Sequence, residues 1–365
     1  MIRGHGGNIY ALARALGCPA EAIVDLSSNV NPFGPPPGLL SHLARELERI
    51  RALPEVDAGS AVTRFAAFHG LPPDQVLAAN GTTQLIYELP RALSLQRPLI
   101  VGPTYADYRD GCRRNRVAST FWPARPQDDF QPDLAAVADA ARGCDAIYLC
   151  NPNNPSGALV DGEALRDLGR RFPDKTLVVD ESYLPFVNAP ERHSLVADRP
   201  ENVLVLHSMS KIFRVPGLRI GFAVGAPHLI ERLRRYALPW SVNALAMAAV
   251  PFLLRPDAGL EDFVQETRRR LAAARTTMVD RLSALEGVRC FPSATGFFLV
   301  QLPEPHRSDA VCRRLAREKI LVRDCANFEG LSDRFIRISL QDPPRNARCA
   351  RALEAVLSRT LQGSS

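Results

Sequence analysis

The feature that most constrains the fold is an alternation of short apolar runs with helical stretches between about residues 60 and 240. The runs are rich in β-branched residues and are four or five residues long, which is typical of buried strands. Alternation with helices predicts a parallel sheet covered by helices. Six runs are expected as strands: 76–79, 98–101, 146–150, 176–179, 203–206 and 220–224.

Polar motifs directly follow the predicted strands. Five of them stand at residues 80–84, 103–105, 151–157, 180–183 and 208–211. Parallel strands end at the same edge of a sheet, so these motifs are expected to meet where open α/β sheets bind ligands. Thr82 and Thr83 open a predicted helix, and a helix N-terminus is a seat for phosphate. The pattern therefore predicts one ligand site built from several loops.

Lys211 is one of three lysines among the 45 basic residues of the chain. An amine can form a Schiff base with an aldehyde, which a guanidinium cannot. Ser208 and Ser210 lie just before it and Arg219 follows, and hydroxyls with a planar cation suit a phosphate ester. An aldehyde with a phosphate tail is pyridoxal phosphate. Ser-x-Ser-Lys alone fits a solvated loop lysine equally well, and the other motifs favour the cofactor.

Composition indicates an ordinary globular protein. The chain has 365 residues, of which 46% are hydrophobic, enough for a large core in two domains. No apolar run approaches the ~18 residues of a membrane span, and the polar N-terminus does not resemble a signal peptide. The eight cysteines are scattered. We therefore expect a cytoplasmic protein with no metal site and no membrane partner.

The basic net charge of +6 permits nucleic-acid binding without favouring it. Most arginines alternate with acidic residues, as on a solvated helix face. A small anionic substrate explains a basic pocket more simply, so no nucleic-acid partner is expected.

Domain organisation is predicted from changes along the chain. Residues 1–37 are expected to form an arm that packs with the smaller domain, because prolines 35–37 stop regular structure after a short helix at 9–16. A helix at 39–50 opens the large domain, 38–254. Residues 255–365 are expected to form a small α+β domain, with helices at 260–285 and 345–361 and strands at 297–302, 320–322 and 335–340.

Taken together, these motifs resemble the fold-type I pyridoxal-phosphate enzymes of the aminotransferase class. The general ones are Asn-Pro-Asn-Asn-Pro-Ser-Gly, Asp-Glu-Ser-Tyr, Ser-Met-Ser-Lys and Gly-Leu-Arg-Ile-Gly. More discriminating are residues 5–10, 239–245 and 323–328, which resemble the threonine-phosphate decarboxylases, relatives of histidinol-phosphate aminotransferases. The resemblance covers nearly the whole chain. It implies an aspartate aminotransferase-like fold, with a large, mostly parallel sheet and a small α+β domain, and a homodimer.

The resemblance implies a role for each cofactor residue. Lys211 would bind the cofactor and move protons at the substrate α-carbon. Asp180 would keep the pyridine nitrogen protonated, and Asn154 and Tyr183 would hydrogen-bond the phenolic oxygen. Tyr105 would stack on the ring. The cofactor phosphate would be held by Thr82, Thr83, Ser208, Ser210 and Arg219.

For the substrate, Arg337 matches the arginine that grips the α-carboxylate. Arg323 and His5 are the candidates for a substrate phosphate, with Asn8 and Asn31 as further candidates. The implied reaction is decarboxylation of L-threonine O-3-phosphate to 1-amino-2-propanol O-phosphate in cobalamin biosynthesis, or of a related compound such as serine phosphate.

Two other functions stay open: an aminotransferase of the histidinol-phosphate or aromatic type, and a non-catalytic cofactor-binding sensor. Several departures from the decarboxylase pattern bear on the substrate. Leu53 stands where relatives have a tyrosine that reaches the neighbouring subunit's cofactor, and Arg214 replaces a small residue. Gly296 and Gln341 replace an asparagine and an arginine.

Overall fold

The structure is a computed structural model that describes residues 6–256 and 258–358. Its α-helices are α1 (Ile9–Leu16), α2 (Leu39–Arg45), α3 (Gly59–Phe68), α4 (Gly81–Ala92), α5 (Asp107–Arg114), α6 (Leu134–Ala140), α7 (Gly162–Arg171), α8 (Pro227–Arg234), α9 (Ala244–Leu253), α10 (Ala258–Ser283), α11 (Ser308–Arg317) and α12 (Pro343–Ser358). Its strands are β1 (Val24–Leu26), β2 (Val76–Asn80), β3 (Leu99–Gly102), β4 (Thr120–Pro123), β5 (Ala146–Cys150), β6 (Thr176–Asp180), β7 (Val203–Ser208), β8 (Ile220–Val224), β9 (Arg289–Cys290), β10 (Phe297–Gln301), β11 (Ile320–Asp324) and β12 (Phe335–Ser339).

The larger sheet has seven strands in the order β2-β8-β7-β6-β5-β3-β4. Strand β8 runs antiparallel to both of its neighbours, β2 and β7, and every other neighbouring pair is parallel. Every residue of β5 and β8 is buried, as expected for strands covered on both faces. The carboxyl ends of β5, β6 and β7 therefore open at one edge.

Side-chain caps fix where several helices begin. The carboxylate of Asp133 accepts hydrogen bonds from the backbone N–H groups of Ala135 and Ala136 at the start of α6. Asp161 does the same for α7 and Asn243 for α9. Each cap satisfies an N–H group that the helix itself leaves unpaired.

The smaller sheet has five strands in the order β1-β11-β12-β10-β9. Its first strand comes from the N-terminal segment, because β1 pairs in parallel with β11 and Val24 lies opposite Ile320. The remaining pairs are antiparallel. Helix α12 packs against both α10 and α11. The expected combination of a mostly parallel sheet and a small α+β sheet is confirmed, whereas the boundaries at 37 and 254 stay predictions.

Some elements differ from the prediction. Strands β1, β4 and β9 were not expected, and the helix predicted at 39–50 ends at Arg45, before a 3₁₀ turn over Leu47–Arg51. The last helix is described to Ser358 only, so its predicted end at 361 lies outside the described residues. None of the described helices combines the length and apolar character that a membrane crossing needs. Within residues 6–256 and 258–358, His, Cys, Asp and Glu side chains form no metal-binding cluster of three or more.

Candidate active site

A cleft of about 970 Å³ lies between the larger sheet, the N-terminal segment and the smaller sheet. It brings together six of the residues predicted from the sequence. These are Tyr105, Asn154, Tyr183, Lys211, Arg323 and Arg337. Four of the five predicted strand-end motifs therefore meet at this cleft, namely 103–105, 151–157, 180–183 and 208–211, whereas the motif at 80–84 does not line it.

Lys211 lies three residues beyond the end of β7 and is half-buried at the cleft. The pKa of its amine is lowered to about 8, chiefly by burial and then by the nearby guanidinium of Arg219, while Asp180 opposes this shift. Its backbone carbonyl accepts a 2.9 Å hydrogen bond from the N–H of Asn31. About a tenth of the Lys211 population is therefore uncharged at pH 7, far more than for an exposed lysine, and the uncharged amine is the nucleophile.

Asp180 ends β6 and is buried beneath the cleft. One carboxylate oxygen accepts a 2.8 Å hydrogen bond from the Tyr108 hydroxyl, and the other accepts a 2.9 Å bond from the Ser182 N–H. Burial raises the pKa of this carboxyl, while those hydrogen bonds and Lys211 lower it. Such a group is stabilised by a cation in direct contact with it, such as a protonated ring nitrogen.

The N-terminus of α4 lies beside the guanidinium of Arg219. Helix α4 begins at Gly81 without a side-chain cap, so its first N–H groups are available. Gly81 has φ of +70°, and a Cβ there would lie 2.6 Å from Nη2 of Arg219. A guanidinium this close to a positive helix end favours an anion between them.

Strands β7 and β8 complete this anion seat. Ser208 lies opposite Gly221 in the β7–β8 pair. A Cβ on Gly221 would lie 2.7 Å from the backbone nitrogen of Thr82, so β8 approaches α4 as closely as a glycine allows. Arg219 has φ of +56°, an uncommon conformation for a residue with a side chain. The predicted phosphate residues Thr82, Ser208 and Arg219 thus come from adjoining backbone segments.

Tyr183 is held in place by neighbours on two sides. Its hydroxyl accepts a 3.3 Å hydrogen bond from the amide of Asn29, and its ring packs edge-on against Phe297 at 5.1 Å. Burial raises the pKa of its hydroxyl to about 12, so this group is a hydrogen-bond donor at neutral pH. Tyr105, on the same cleft, packs edge-on against Tyr108 at 5.9 Å.

Arg337 on β12 is buried at the cleft, where it joins three parts of the chain. One Nη donates to the side-chain oxygen of Asn154, and the other donates to the Ser27 carbonyl at 2.6 Å. Its Nε has no hydrogen-bond partner. A buried guanidinium without a carboxylate partner favours an anionic ligand.

Arg323 lies directly opposite Arg337 in the β11–β12 pair. It is half-buried, donates to the Asp324 carbonyl at 2.6 Å and to the Asn327 side chain at 2.7 Å, and lines the same cleft. Facing residues of an antiparallel pair have Cβ atoms about 5 Å apart, and like charges there repel. A ligand with two anionic groups would relieve this repulsion.

The structure does not bring every predicted residue to the cleft. The amide of Asn31 donates to the Ile212 carbonyl at 2.8 Å and to the Thr267 hydroxyl at 3.1 Å, and its oxygen accepts from the Phe33 N–H. It therefore fastens the N-terminal segment to the Lys211 loop and α10, away from the cleft lining. Asn8 caps α1 by accepting from Ala11. His5 lies outside the described residues.

Three residues of the site were not predicted: Ser27, Asn29 and Tyr108. Asn29 and Ser27 belong to the polar segment before the proline run, and Asn29 accepts a 2.7 Å bond from Ser339. Tyr108 lies on α5, whereas Tyr105 precedes that helix, so the spacing of the two tyrosines gives no signal for the orientation of Tyr108. Their partners are distant in sequence, so the contacts themselves could not be read from local patterns.

These residues fit pyridoxal phosphate. The amine of Lys211, the buried carboxylate of Asp180 and the uncapped N-terminus of α4 beside Arg219 match its aldehyde, ring nitrogen and phosphate. Because Gly81 and Gly221 have no side chains, they leave space beside Arg219 and Thr82 that a Cβ would fill.

The sequence matches the family model described as aminotransferase class I and II over residues 21–356. It is 31% identical to threonine-phosphate decarboxylase of Salmonella typhimurium, covering 97% of this chain and 96% of that protein. It is 33% identical to histidinol-phosphate aminotransferase of Symbiobacterium thermophilum, covering 92% and 91%. It also matches the adenosylcobalamin biosynthesis bifunctional protein CobDQ of Leptospira interrogans, at 27% identity over 98% of this chain, but spans only 41% of that longer protein.

Solved structures are also similar to this chain. L-threonine-O-3-phosphate decarboxylase from Porphyromonas gingivalis superposes with a TM-score of 0.81 at 31% identity, covering 91% of this chain and 99% of that one. Aspartate aminotransferase from Thermus thermophilus has a TM-score of 0.82 at 22% identity, with 96% of each chain covered. The predicted aspartate aminotransferase-like fold is therefore confirmed.

Proposed function

Because this chain belongs to the aminotransferase class I and II family, we propose that it is a pyridoxal-phosphate-dependent decarboxylase of an O-phosphorylated amino acid, with L-threonine O-3-phosphate as the first candidate. The product would be 1-amino-2-propanol O-phosphate, in keeping with the cobalamin biosynthesis named for one relative. The observation that carries the proposal is the facing pair Arg323 and Arg337 at one cleft, which suits a substrate with both a carboxylate and a phosphate.

In this proposal Arg337 binds the α-carboxylate, oriented by its bonds to Asn154 and the Ser27 carbonyl. Arg323 binds the substrate phosphate at the neighbouring position. Two fixed contacts would hold the substrate in one orientation, because rotation about the α-carbon is then blocked. That orientation would select the bond between the α-carbon and the carboxylate for cleavage.

Pyridoxal phosphate, when bound, supplies an electron sink for that bond. Asp180 would hold the proton on the ring nitrogen, and Tyr183 and Asn154 would donate to the phenolic oxygen. Lys211, with its pKa lowered to about 8, would deliver a proton to the α-carbon after carbon dioxide has left.

The alternative is transamination, favoured by the 33% identity to a histidinol-phosphate aminotransferase. Both reactions use the same residues. They differ in whether the α-carbon loses its carboxylate or its hydrogen. Histidinol phosphate has no α-carboxylate and carries a single anionic group, its phosphate. The facing pair Arg323 and Arg337 is thus better matched to a phosphorylated amino acid, which carries two anionic groups.

The deciding experiment mixes purified, cofactor-loaded protein with threonine phosphate in a single turnover, recording carbon dioxide and the visible spectrum together. We expect carbon dioxide release with return of the aldehyde form of the cofactor. Conversion to the amine form without carbon dioxide would assign an aminotransferase instead. An unchanged spectrum would exclude threonine phosphate, and serine phosphate and histidinol phosphate would be tested next.

The Arg323→Ala variant separates the two anion contacts. Turnover of threonine phosphate should fall, chiefly through a higher KM, whereas the slow turnover of unphosphorylated threonine should stay as in the unmodified protein. Loss of both activities by the same factor would contradict a phosphate-specific role for Arg323.

A further inference from the structure

A second cavity, of about 800 Å³, lies behind the segment that carries Lys211. Asp180 and Lys211 serve the cleft, whereas the residues that follow them, Glu181 and Ile212 with Phe213, line this other cavity. The ends of α3 and α9, helix α10 and the loop at 184–198 complete the wall. Neither the proposed reaction nor the cofactor uses this space.

Two charged groups in the wall, Glu181 and Arg166, are satisfied within the protein. The two oxygens of Glu181 accept hydrogen bonds from the Leu195 N–H at 2.6 Å and the Ser194 hydroxyl at 2.7 Å. Arg166 donates to the Asp198 and Ser194 carbonyls and to the Glu163 carboxylate. Neither group therefore calls for a charged ligand. The other charged residues of the wall have both signs, so no single charge dominates and the ligand is expected to be uncharged; they are Glu191, Asp198, Glu261, Arg255 and Arg268.

His207 provides an unused polar group at the base of the cavity. It lies on β7, in the middle of the larger sheet, and is the one residue of that strand that is not fully buried. Burial lowers its pKa to about 3, so the ring is neutral at physiological pH. Rings of Phe65 and His69 pack against it at 5.3 Å and 5.7 Å.

The burial of His207 is uneven and determines its tautomer. Nδ1 is buried and has no hydrogen-bond partner, so the part of the ring exposed to the cavity is the opposite edge, which carries Nε2. A buried N–H group without a hydrogen-bond partner is rarer in proteins than a buried acceptor without one. The proton of the neutral ring therefore belongs on Nε2, which faces the cavity as a hydrogen-bond donor.

We propose that this cavity is a second small-molecule site for an uncharged, planar, heteroaromatic ligand whose acceptor atom binds Nε2–H of His207. The wall is mostly apolar, with Phe213, Leu184 and Leu253 among the lining residues, and His69 adds an aromatic face. Burial keeps the pKa of His69 at about 4, so this face is also uncharged. A bound ligand would contact Ile212 and Phe213, adjacent to Lys211.

The test uses two bicyclic probes of similar size: quinoline, whose ring nitrogen accepts a hydrogen bond, and indole, whose ring nitrogen only donates one. Each is titrated calorimetrically into the cofactor-loaded, full-length protein. Quinoline is expected to bind about fivefold more tightly than indole, because one hydrogen bond contributes about 1 kcal/mol. The His207→Phe variant keeps an aromatic ring and should remove this preference.

The location of the site is tested by placing a bulky side chain in the wall of the cavity. Ala197 is exposed and lines the cavity, so Ala197→Trp should abolish quinoline binding while the cofactor spectrum stays unchanged. Ala135→Trp, on the exposed face of α6, should bind quinoline normally. Absent quinoline binding, equal affinity for the two probes, or a preference that survives His207→Phe would each overturn the proposal.

Discussion

Lys211 combines a common residue type with an uncommon environment. Its pKa of about 8 lies below that of an exposed lysine because the amine is buried and Arg219 and Arg337 repel its charge. Only the uncharged amine attacks an aldehyde, so acid reduces the reactive fraction. The environment thereby adapts a lysine to chemistry near neutral pH.

Capture of pyridoxal phosphate by the cofactor-free protein should therefore depend on pH. The rate is expected to rise about tenfold per pH unit below 8 and to level off above it, since the reactive fraction is then nearly complete. Stopped-flow absorbance measures this rate. Lys175→Arg should keep the profile, and Lys211→Arg should not form the covalent complex at any pH. A flat profile between pH 6 and about 9 would contradict the lowered pKa.

Arg337 offers a second test at the same scale. In Arg337→Lys, the planar fork that bonds Asn154 and the Ser27 carbonyl is lost, so kcat/KM for threonine phosphate should fall about 100-fold. The cofactor spectrum should stay unchanged because the cofactor is held by other residues. Arg334→Lys is the matched control, since that arginine bonds Leu302 and Glu304 away from the cleft. Equal losses in both variants would refute a substrate contact.

Anion binding at the N-terminus of α4 depends on Gly81 having no side chain. In Gly81→Ala, the new Cβ would meet Nη2 of Arg219 at 2.6 Å, inside the anion seat. We expect the Kd for pyridoxal phosphate to rise about tenfold or more, measured by equilibrium dialysis.

Gly17→Ala is the control for backbone strain. Gly17 also has a positive φ, of +60°, but a Cβ there would meet nothing within 4 Å. That variant should lose about 1 kcal/mol of unfolding free energy and bind the cofactor normally. Equal cofactor affinity in the two variants would show that the close approach of Arg219 is irrelevant.

The elements also show what local sequence can predict. Strands β5 and β8 match the expected ranges because each is an uninterrupted apolar run. Strand β4 was missed because it is a short Thr-Phe-Trp-Pro edge strand, and β1 because polar Asp25 interrupts it. The pattern places site motifs at strand ends, but it cannot give the contact between Arg337 and Ser27, which are far apart in the chain.

In the molecule as a whole, one surface exposes several large apolar side chains to solvent. Leu40, Ile50 and Leu53 are at least 65% exposed, and Leu238 and Trp240 are exposed as well. The two segments adjoin, because the Trp240 N–H donates to the Val56 carbonyl at 3.0 Å. A patch of this kind favours a protein interface, and the homodimer implied by family resemblance stays our proposal for it.

The dimer proposal predicts a change of mass. Ile50→Glu should place a charge in the interface and shift the protein from dimer to monomer in sedimentation velocity. Ala135→Glu, on an exposed face of α6, should leave the mass unchanged. A monomer for the unmodified protein at micromolar concentration would exclude the dimer.

The parallel pairing of β1 with β11 has a consequence for how the chain is made. Val24 leaves the ribosome long before its partner Ile320, because all strands of the larger sheet lie between them in the chain. Until Ile320 has emerged β1 has no strand to pair with, and the smaller sheet can close only after the larger sheet has been synthesised. Such distant pairing slows folding because a long loop must close first. The contact of Arg337 with the Ser27 carbonyl must wait for the same event, so the substrate site matures only after the whole larger sheet has emerged.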